Sequence, residues 1–290
     1  MLLGPVEYAR PETVDEALSL LSANDGAAAL AGGQSLVNVL KHRVADVDLL
    51  VDISRLEDLR RIDSAADGSL TIGACVTYDE IANSATVAAG HPLLAHVAGH
   101  IEDQQIRNRG TIGGNCCLSD PTNNLPPLLV ALDATMQIQS VSGSRDVPAD
   151  GFFQGYFATA VGDGELLRSI TIPTIAADTG AGYSTVAVGA DSKAIARAAA
   201  LVTANGTISE ARVVLACVSS VPLRHAATEQ ALRGSPATVE GVQQAVAAIG
   251  DDLEPIGDVH GSAEYRLAMA RVVASRAVCE AISKGGSDNG

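Results

Sequence analysis

The 290-residue chain has no tryptophan, only 3% aromatic residues and only 18% charged residues, against roughly 25% charged in average soluble domains. Its basic residues are also few: 19 Lys and Arg face 34 Asp and Glu, a formal charge of -15. That balance disfavours nucleic acid or an anionic membrane as partner, because phosphate binding needs concentrated positive charge. No apolar run approaches the ~20 residues of a membrane helix, and the start, Met1-Leu2-Leu3-Gly4-Pro5 before Glu7, lacks the basic opening of a secretory signal. A soluble, cytoplasmic protein is expected. The five cysteines, 75, 116, 117, 217 and 279, are odd in number and lack Cys-x-x-Cys spacing, so neither a disulfide framework nor a zinc or iron–sulfur site is indicated.

Several motifs are missing too. There is no Gly-x-Gly-x-x-Gly fingerprint, no P-loop lysine after a glycine turn, and no Gly-x-Ser-x-Gly elbow, since Gly33-Gln34-Ser35 runs on into Leu36-Val37. His96 and His100 are four apart, a metal-ligand spacing, with His91 nearby, but no His-Glu-x-x-His accompanies them and no metal is assigned. Asp251, Asp252 and Glu254 read as a solvated loop, and Cys116-Cys117 as small packing residues. No catalytic acid–base or nucleophile set is identified.

What is present is an α+β pattern. Thr13 and Glu16 form a capping-box signature ahead of a helix to about Ser22, and Asn24-Asp25-Gly26 breaks it. Ala27–Ala31 reads as a short buried strand, Ser35–Arg43 as a helix and Leu49–Ile53 as the next strand. Further strands are expected at Ser69–Val76, Thr135–Val141, Leu166–Ile172, Ala181–Val188 and Ala211–Val218, and helices at Thr77–Asn83, again behind a Thr-x-x-Glu box, and at Leu125–Leu132. Helical patterns close the chain at His225–Leu232, Val239–Ile249 and Ala263–Ile282. A boundary near Pro173–Gly180 divides a first domain, 1–175 with subdomains 1–55 and 56–175, from a second at 179–284, and 285–290 reads as a disordered tail.

Two uncharged glycine turns carry the functional signal. Ala31-Gly32-Gly33-Gln34-Ser35 links a strand to a helix, so that N–H groups and the Ser35 hydroxyl could cradle a phosphate; taken alone, a tight turn capped by Ser35 is the better account of it. Thr111-Ile112-Gly113-Gly114-Asn115 offers Thr and Asn side chains beside a second row of backbone donors. Together they suggest a dinucleotide whose pyrophosphate is met by N–H dipoles in place of lysines.

With Tyr8-Ala9-Arg10-Pro11, Gln105 through Gly110 before the second turn, Asp120-Pro121, and Glu165-Leu166-Leu167 before Ile170-Thr171-Ile172-Pro173, these turns resemble, over nearly the whole chain, the FAD-binding medium subunits of molybdenum hydroxylases. The resemblance implies a two-part FAD domain of the vanillyl-alcohol-oxidase type followed by a smaller α+β C-terminal flavin-subunit domain. It implies FAD held by Ala31, Gly32, Gly33, Gln34, Ser35, Thr111, Ile112, Gly113, Gly114 and Asn115, with Leu167 and Ile195 near the flavin ring. Asn124 stands where relatives carry an aspartate for sugar or ribityl hydroxyls, and Ala187 where they often carry a lysine near the flavin. The implied role is electron transfer from a large molybdenum-cofactor subunit through two [2Fe–2S] clusters of a small subunit to FAD, then to an external acceptor, in a dimer of heterotrimers. The alternative is a flavin-free scaffold of the same fold: Asn124 and Ala187 favour it, and the two intact glycine turns oppose it.

Overall fold

The computed structural model describes residues 3–189, 193–250 and 253–285. The chain forms two compact units. The first takes the chain up to Ser119 with Ala134–Phe152 and Phe157–Pro173; the second takes Asp120–Asp133, Phe153–Tyr156 and the chain from Thr174 onward. In this division the Leu125–Ala131 helix belongs with the C-terminal strands.

The first unit opens with a three-stranded parallel sheet in which Leu49–Asp52 lies between Glu7–Ala9 and Ala27–Leu30. A central parallel strand is covered on both faces, which is why Leu49, Leu50 and Val51 form an unbroken apolar run. The Val14–Ala23 helix buries Val14, Ala17, Leu18 and Leu21 at helical spacing against this sheet. Thr13 caps it by accepting from the Glu16 N–H, but the Glu16 carboxylate accepts from the Glu12 N–H, so the reciprocal half of the expected box is shifted by one residue. At Thr77 both halves form: its hydroxyl accepts from the Glu80 N–H, and Glu80 accepts from the Thr77 N–H.

A five-stranded antiparallel sheet completes the unit, in the order Ile62–Ser64, Leu70–Gly73, Leu166–Ile172, Thr135–Ser140, Gly143–Pro148. The expected Ser69–Val76 strand ends at Gly73, where Ala74 turns to donate to the Arg168 carbonyl and Cys75 to the Leu59 carbonyl.

The second unit is a four-stranded antiparallel sheet ordered Thr179–Ala187, Ala194–Asn205, Thr207–Ala216, Leu223–Arg224. The Ala194–Asn205 strand was not foreseen: its first nine residues are buried, so it has no polar alternation, and alanine is depleted from strands by propensity. The Ala263–Gly285 helix lies on this sheet at backbone distance. A Cβ on Gly180 would stand 1.9 Å from the Ala281 carbonyl oxygen, and one on Gly182 would stand 2.0 Å from that of Ala277. The alanines here thus serve close packing, with Ala196, Ala198 and Ala200 facing Ala270, Ala274 and Ala277 in one core. The helix runs through Gly285, which the sequence assigned to the tail. Residues 286–290, Asp251 and Asp252 lie outside the described residues, and Glu254 is exposed. Among the described residues no helix is long and apolar enough to cross a membrane.

Candidate functional site

In the first unit, Ala31–Ser35 joins the end of the Ala27–Leu30 strand to the Leu36–Lys41 helix. Gly33 adopts φ +74°, a left-handed conformation that glycine takes without steric cost. Ser35 occupies the N-cap but makes no side-chain cap bond, so the expected Ser35 cap is absent. The backbone N–H groups of Gly32, Gly33, Gln34 and Ser35 find no acceptor among the described residues. Half-buried N–H groups without partners are costly, and several in succession form a concavity suited to an anion.

The second turn is built differently. Thr111 caps the Ile112–Leu118 helix, its hydroxyl accepting from the Gly114 N–H at 3.0 Å. The Ile112 N–H donates to Val76, Gly113 to Ala74 and Asn115 to Thr111. The expected row of exposed donors is therefore absent at residues 112–115; those N–H groups hold the turn against Ala74–Val76 and close the helix. Thr111 and Asn115 are buried, the Asn115 amide donating to the Tyr78 hydroxyl at 3.0 Å, and Ile112 is fully enclosed. The segment's open face is at Gly114, where a Cβ would meet nothing within 4 Å except the Thr111 hydroxyl.

Folding brings the two turns together. A Cβ on Gly32 would lie 1.9 Å from the Arg109 carbonyl oxygen and 3.1 Å from the Gly110 Cα, so the first turn sits directly on the backbone that leads into the second. Tyr78, which the sequence reading did not single out, organises the junction: its ring touches Gly110, its N–H donates to the Gly110 carbonyl, and its hydroxyl accepts from Asn115. Burial pushes its phenol well above the usual range, so it stays neutral. Leu167 joins the same neighbourhood through backbone, since Arg168 accepts from Ala74 and Ala74 accepts from Gly113; its side chain is buried beside a register shift between Leu167 and Ser169.

Asn124 and Ile195 lie in the second unit. Asn124 heads the wholly buried Leu125–Ala131 helix without a side-chain cap bond, and its carbonyl accepts from the Tyr183 hydroxyl at 2.7 Å. Ile195 is fully buried, with its side chain against Gly261. Ala187 is exposed at the end of its strand. Nearby, Asp120 accepts from Thr122 and from the Lys193 ammonium at 2.8 Å. Burial pushes its carboxyl up, but Lys193 and Thr122 outweigh burial and hold it below the ordinary value.

The His96 and His100 ring centroids lie 4.2 Å apart with the planes tilted by 36°, and among the described residues no cluster of three or more His, Cys, Asp or Glu could hold a metal ion. Of the cysteine pair, Cys116 is enclosed and Cys117 exposed, on the same helix face as Gly114 at i, i+3 spacing. Burial of the sulfur pushes the Cys75 and Cys117 thiols up to about 12 and that of Cys217 to about 11, so none of the three is a nucleophile near neutral pH.

A two-unit α+β protein whose glycine turns meet around uncommitted N–H groups is of the nucleotide-cofactor class. Residues 4–175 match the profile of the FAD binding domain in molybdopterin dehydrogenase, and residues 182–281 match the CO dehydrogenase flavoprotein C-terminal domain. The chain belongs to the FAD-binding medium-subunit family of the molybdenum hydroxylases, and is an oxidoreductase subunit with FAD as its cofactor. It is 38% identical to the carbon monoxide dehydrogenase medium chain of Hydrogenophaga pseudoflava, covering 94% of this chain and 95% of that one. Its identity with the nicotine 6-hydroxylase medium subunit of Paenarthrobacter nicotinovorans is 33%, over 97% and 99% of the two chains. Among solved structures it matches the H. pseudoflava carbon monoxide dehydrogenase that lacks the Mo-pyranopterin moiety with a TM-score of 0.94 at 38% identity, covering 98% and 99% of the two chains. It matches quinoline 2-oxidoreductase from Pseudomonas putida 86 with the same TM-score at 30% identity, again over 98% and 99%.

Proposed function

We propose that the chain is the electron-transfer subunit of a molybdenum-containing hydroxylase, taking electrons from two [2Fe–2S] clusters of a small subunit and delivering them to an external acceptor. A large subunit carries the molybdenum cofactor and the organic substrate, and the assembly is a dimer of heterotrimers in the cytoplasm. The first domain is of the vanillyl-alcohol-oxidase type. The observation that carries the reading is the run of uncommitted N–H groups at Gly32–Ser35, set against the backbone of the second turn. Relatives named as medium chains support the multi-subunit reading.

In this reading Ala31 to Ser35 meet the FAD pyrophosphate with N–H dipoles, and the Cβ-free face of Gly114 lets it approach. Thr111, Ile112, Gly113 and Asn115 act through the fold, holding Gly114 in place. The Asn124 amide binds sugar or ribityl hydroxyls, where it donates and accepts without a negative charge, and Leu167 and Ile195 bound the flavin ring. When bound, the flavin supplies the redox chemistry; the chain supplies binding, orientation and electrostatics.

The test is a visible absorption spectrum of the purified chain, followed by heat release and identification of the cofactor. One FAD per chain is expected. A chain that stays colourless after incubation with FAD, and also when isolated with its natural partners, would hand the assignment to the flavin-free scaffold.

A further inference from the structure

His91 is a buried titratable group that the cofactor site does not use. It stands between the Ala85–Gly90 and Pro92–Gly99 helices of the first unit with 1% of its surface exposed. Its backbone is committed: the N–H donates to the Val87 carbonyl at 2.7 Å, and the carbonyl accepts from Leu94 at 3.0 Å. Its ring is not. Neither Nδ1 nor Nε2 meets a hydrogen-bond partner among the described residues, and although His91 occupies an N-cap it makes no side-chain cap bond. Either neutral tautomer therefore leaves one donor and one acceptor without a protein partner, and the protonated ring would leave two donors and a charge.

Nothing around the ring is placed to receive that charge. Burial alone holds the imidazole below its ordinary value, with no charged neighbour contributing. The titratable groups of the surrounding elements are engaged elsewhere or exposed. On the Tyr78–Asn83 helix, which packs against Pro92–Gly99, Asp79 accepts from Gln104, Glu80 pairs with Arg60, and the Tyr78 hydroxyl accepts from Asn115. The Ala85–Gly90 helix carries none, and Asp63, on the strand packed beside it, is exposed. His96 and His100, at the far end of Pro92–Gly99, are exposed as well. The other buried side chains of these helices, Ile81, Val87, Leu94 and Val97 among them, are apolar.

One helix joins this corner to the second glycine turn. A Cβ on Gly99 would stand 3.5 Å from that of Ala82, so Pro92–Gly99 rests directly on Tyr78–Asn83. Tyr78 in turn holds the glycine segment, its N–H donating to the Gly110 carbonyl and its hydroxyl accepting from Asn115. We propose that His91 is an acid-sensitive latch of the cofactor unit: neutral, it completes the corner that keeps the Tyr78–Asn83 helix on the second turn; protonated, it opens the corner and loosens that unit's hold on FAD. The loss of cofactor rests on the FAD reading above. The unfolded chain takes up the proton below about pH 6.5 while the folded chain resists it, so stability is complete above that pH and falls as pH drops through it. From this residue alone the folding constant should fall by up to about thirtyfold between pH 7.5 and 5.0.

The test follows urea unfolding of the full chain from pH 7.5 to 5.0 in wild type, His91→Leu and His91→Gln, and the rate of flavin release from the FAD-loaded chains by fluorescence. Between these pH values the folding constant of wild type should fall several-fold more than that of either variant, a difference in which every other titrating group cancels. At pH 5.0 wild type should release FAD about fivefold faster than His91→Leu, and at pH 7.5 the two should agree within about twofold. His91→Gln, polar but without a titrating group, carries the same test if the leucine variant does not fold. A variant that keeps the wild-type pH dependence overturns the inference. So does stability that responds to His91 while FAD release does not, which leaves the residue a part of the fold and no latch. A wild-type chain that binds no FAD overturns the parent reading instead, and the urea series still decides whether His91 is the titrating group.

Discussion

Gly32→Ala is expected to lose both stability and flavin. The added Cβ would stand 1.9 Å from the Arg109 carbonyl oxygen and 2.7 Å from its carbon, over an ångström inside van der Waals contact. Neither wall can yield cheaply. The Arg109 and Gly110 N–H groups both donate to the Ile106 carbonyl, and the Gly110 carbonyl accepts from Tyr78, so this backbone is held from both sides. Overpacking of rigid backbone costs about 3 kcal/mol, or more where neither side relaxes. Urea denaturation should show a lowered midpoint, and the purified variant should be colourless. A variant with the wild-type midpoint and one FAD per chain would mean that the two turns do not meet as described.

Gly114→Asp separates binding from folding. Its Cβ meets only the Thr111 hydroxyl, at 2.9 Å, and the position is the third of the Ile112–Leu118 helix, where a carboxylate suits the helix dipole and any residue but proline improves on glycine. The fold should survive. The cofactor should not, because a carboxylate about 4 Å from a phosphate charge, at an effective dielectric of 20, costs about 4 kcal/mol, roughly a thousandfold in affinity. Equilibrium dialysis with FAD reads this directly, and Gly114→Asn, of equal size and no charge, should lose much less. Normal flavin occupancy in folded Gly114→Asp would refute the assignment of this face to the pyrophosphate.

The contrast between these glycines shows what could be read in advance. Both belong to Gly-Gly pairs flanked by apolar structure, and the sequence points to both as places where backbone must come close to something. It does not say to what. Gly32 meets Arg109 of its own chain, whereas Gly114 faces outward, and the difference lies in how Tyr78 and Ala74 seat the second turn. The expected row of donors after Thr111 failed for the same reason: N–H groups that look free at a helix start are claimed by Ala74 and Val76, which lie far back in the chain. The Ala194–Asn205 strand went unread because its alanine-rich sequence lacks any period, so neither the strand nor its burial was visible.

Local signals were decided by the sequence itself: the caps at Thr13 and Thr77, the break at Asn24–Gly26, the strand ending at Ile172, the two glycine turns, and through their order the family and its cofactor. These depend on residues within a few positions of one another, where propensity and hydrogen bonding to the neighbouring backbone dominate. Tertiary structure alone decided that Leu166–Ile172 enters the middle of its sheet, that the Leu125–Ala131 helix belongs with the C-terminal strands, and that one turn keeps its N–H groups free while the other spends them. Each of these turns on which distant backbone arrives as partner, and burial and backbone hydrogen bonding settle that only once the chain has closed on itself.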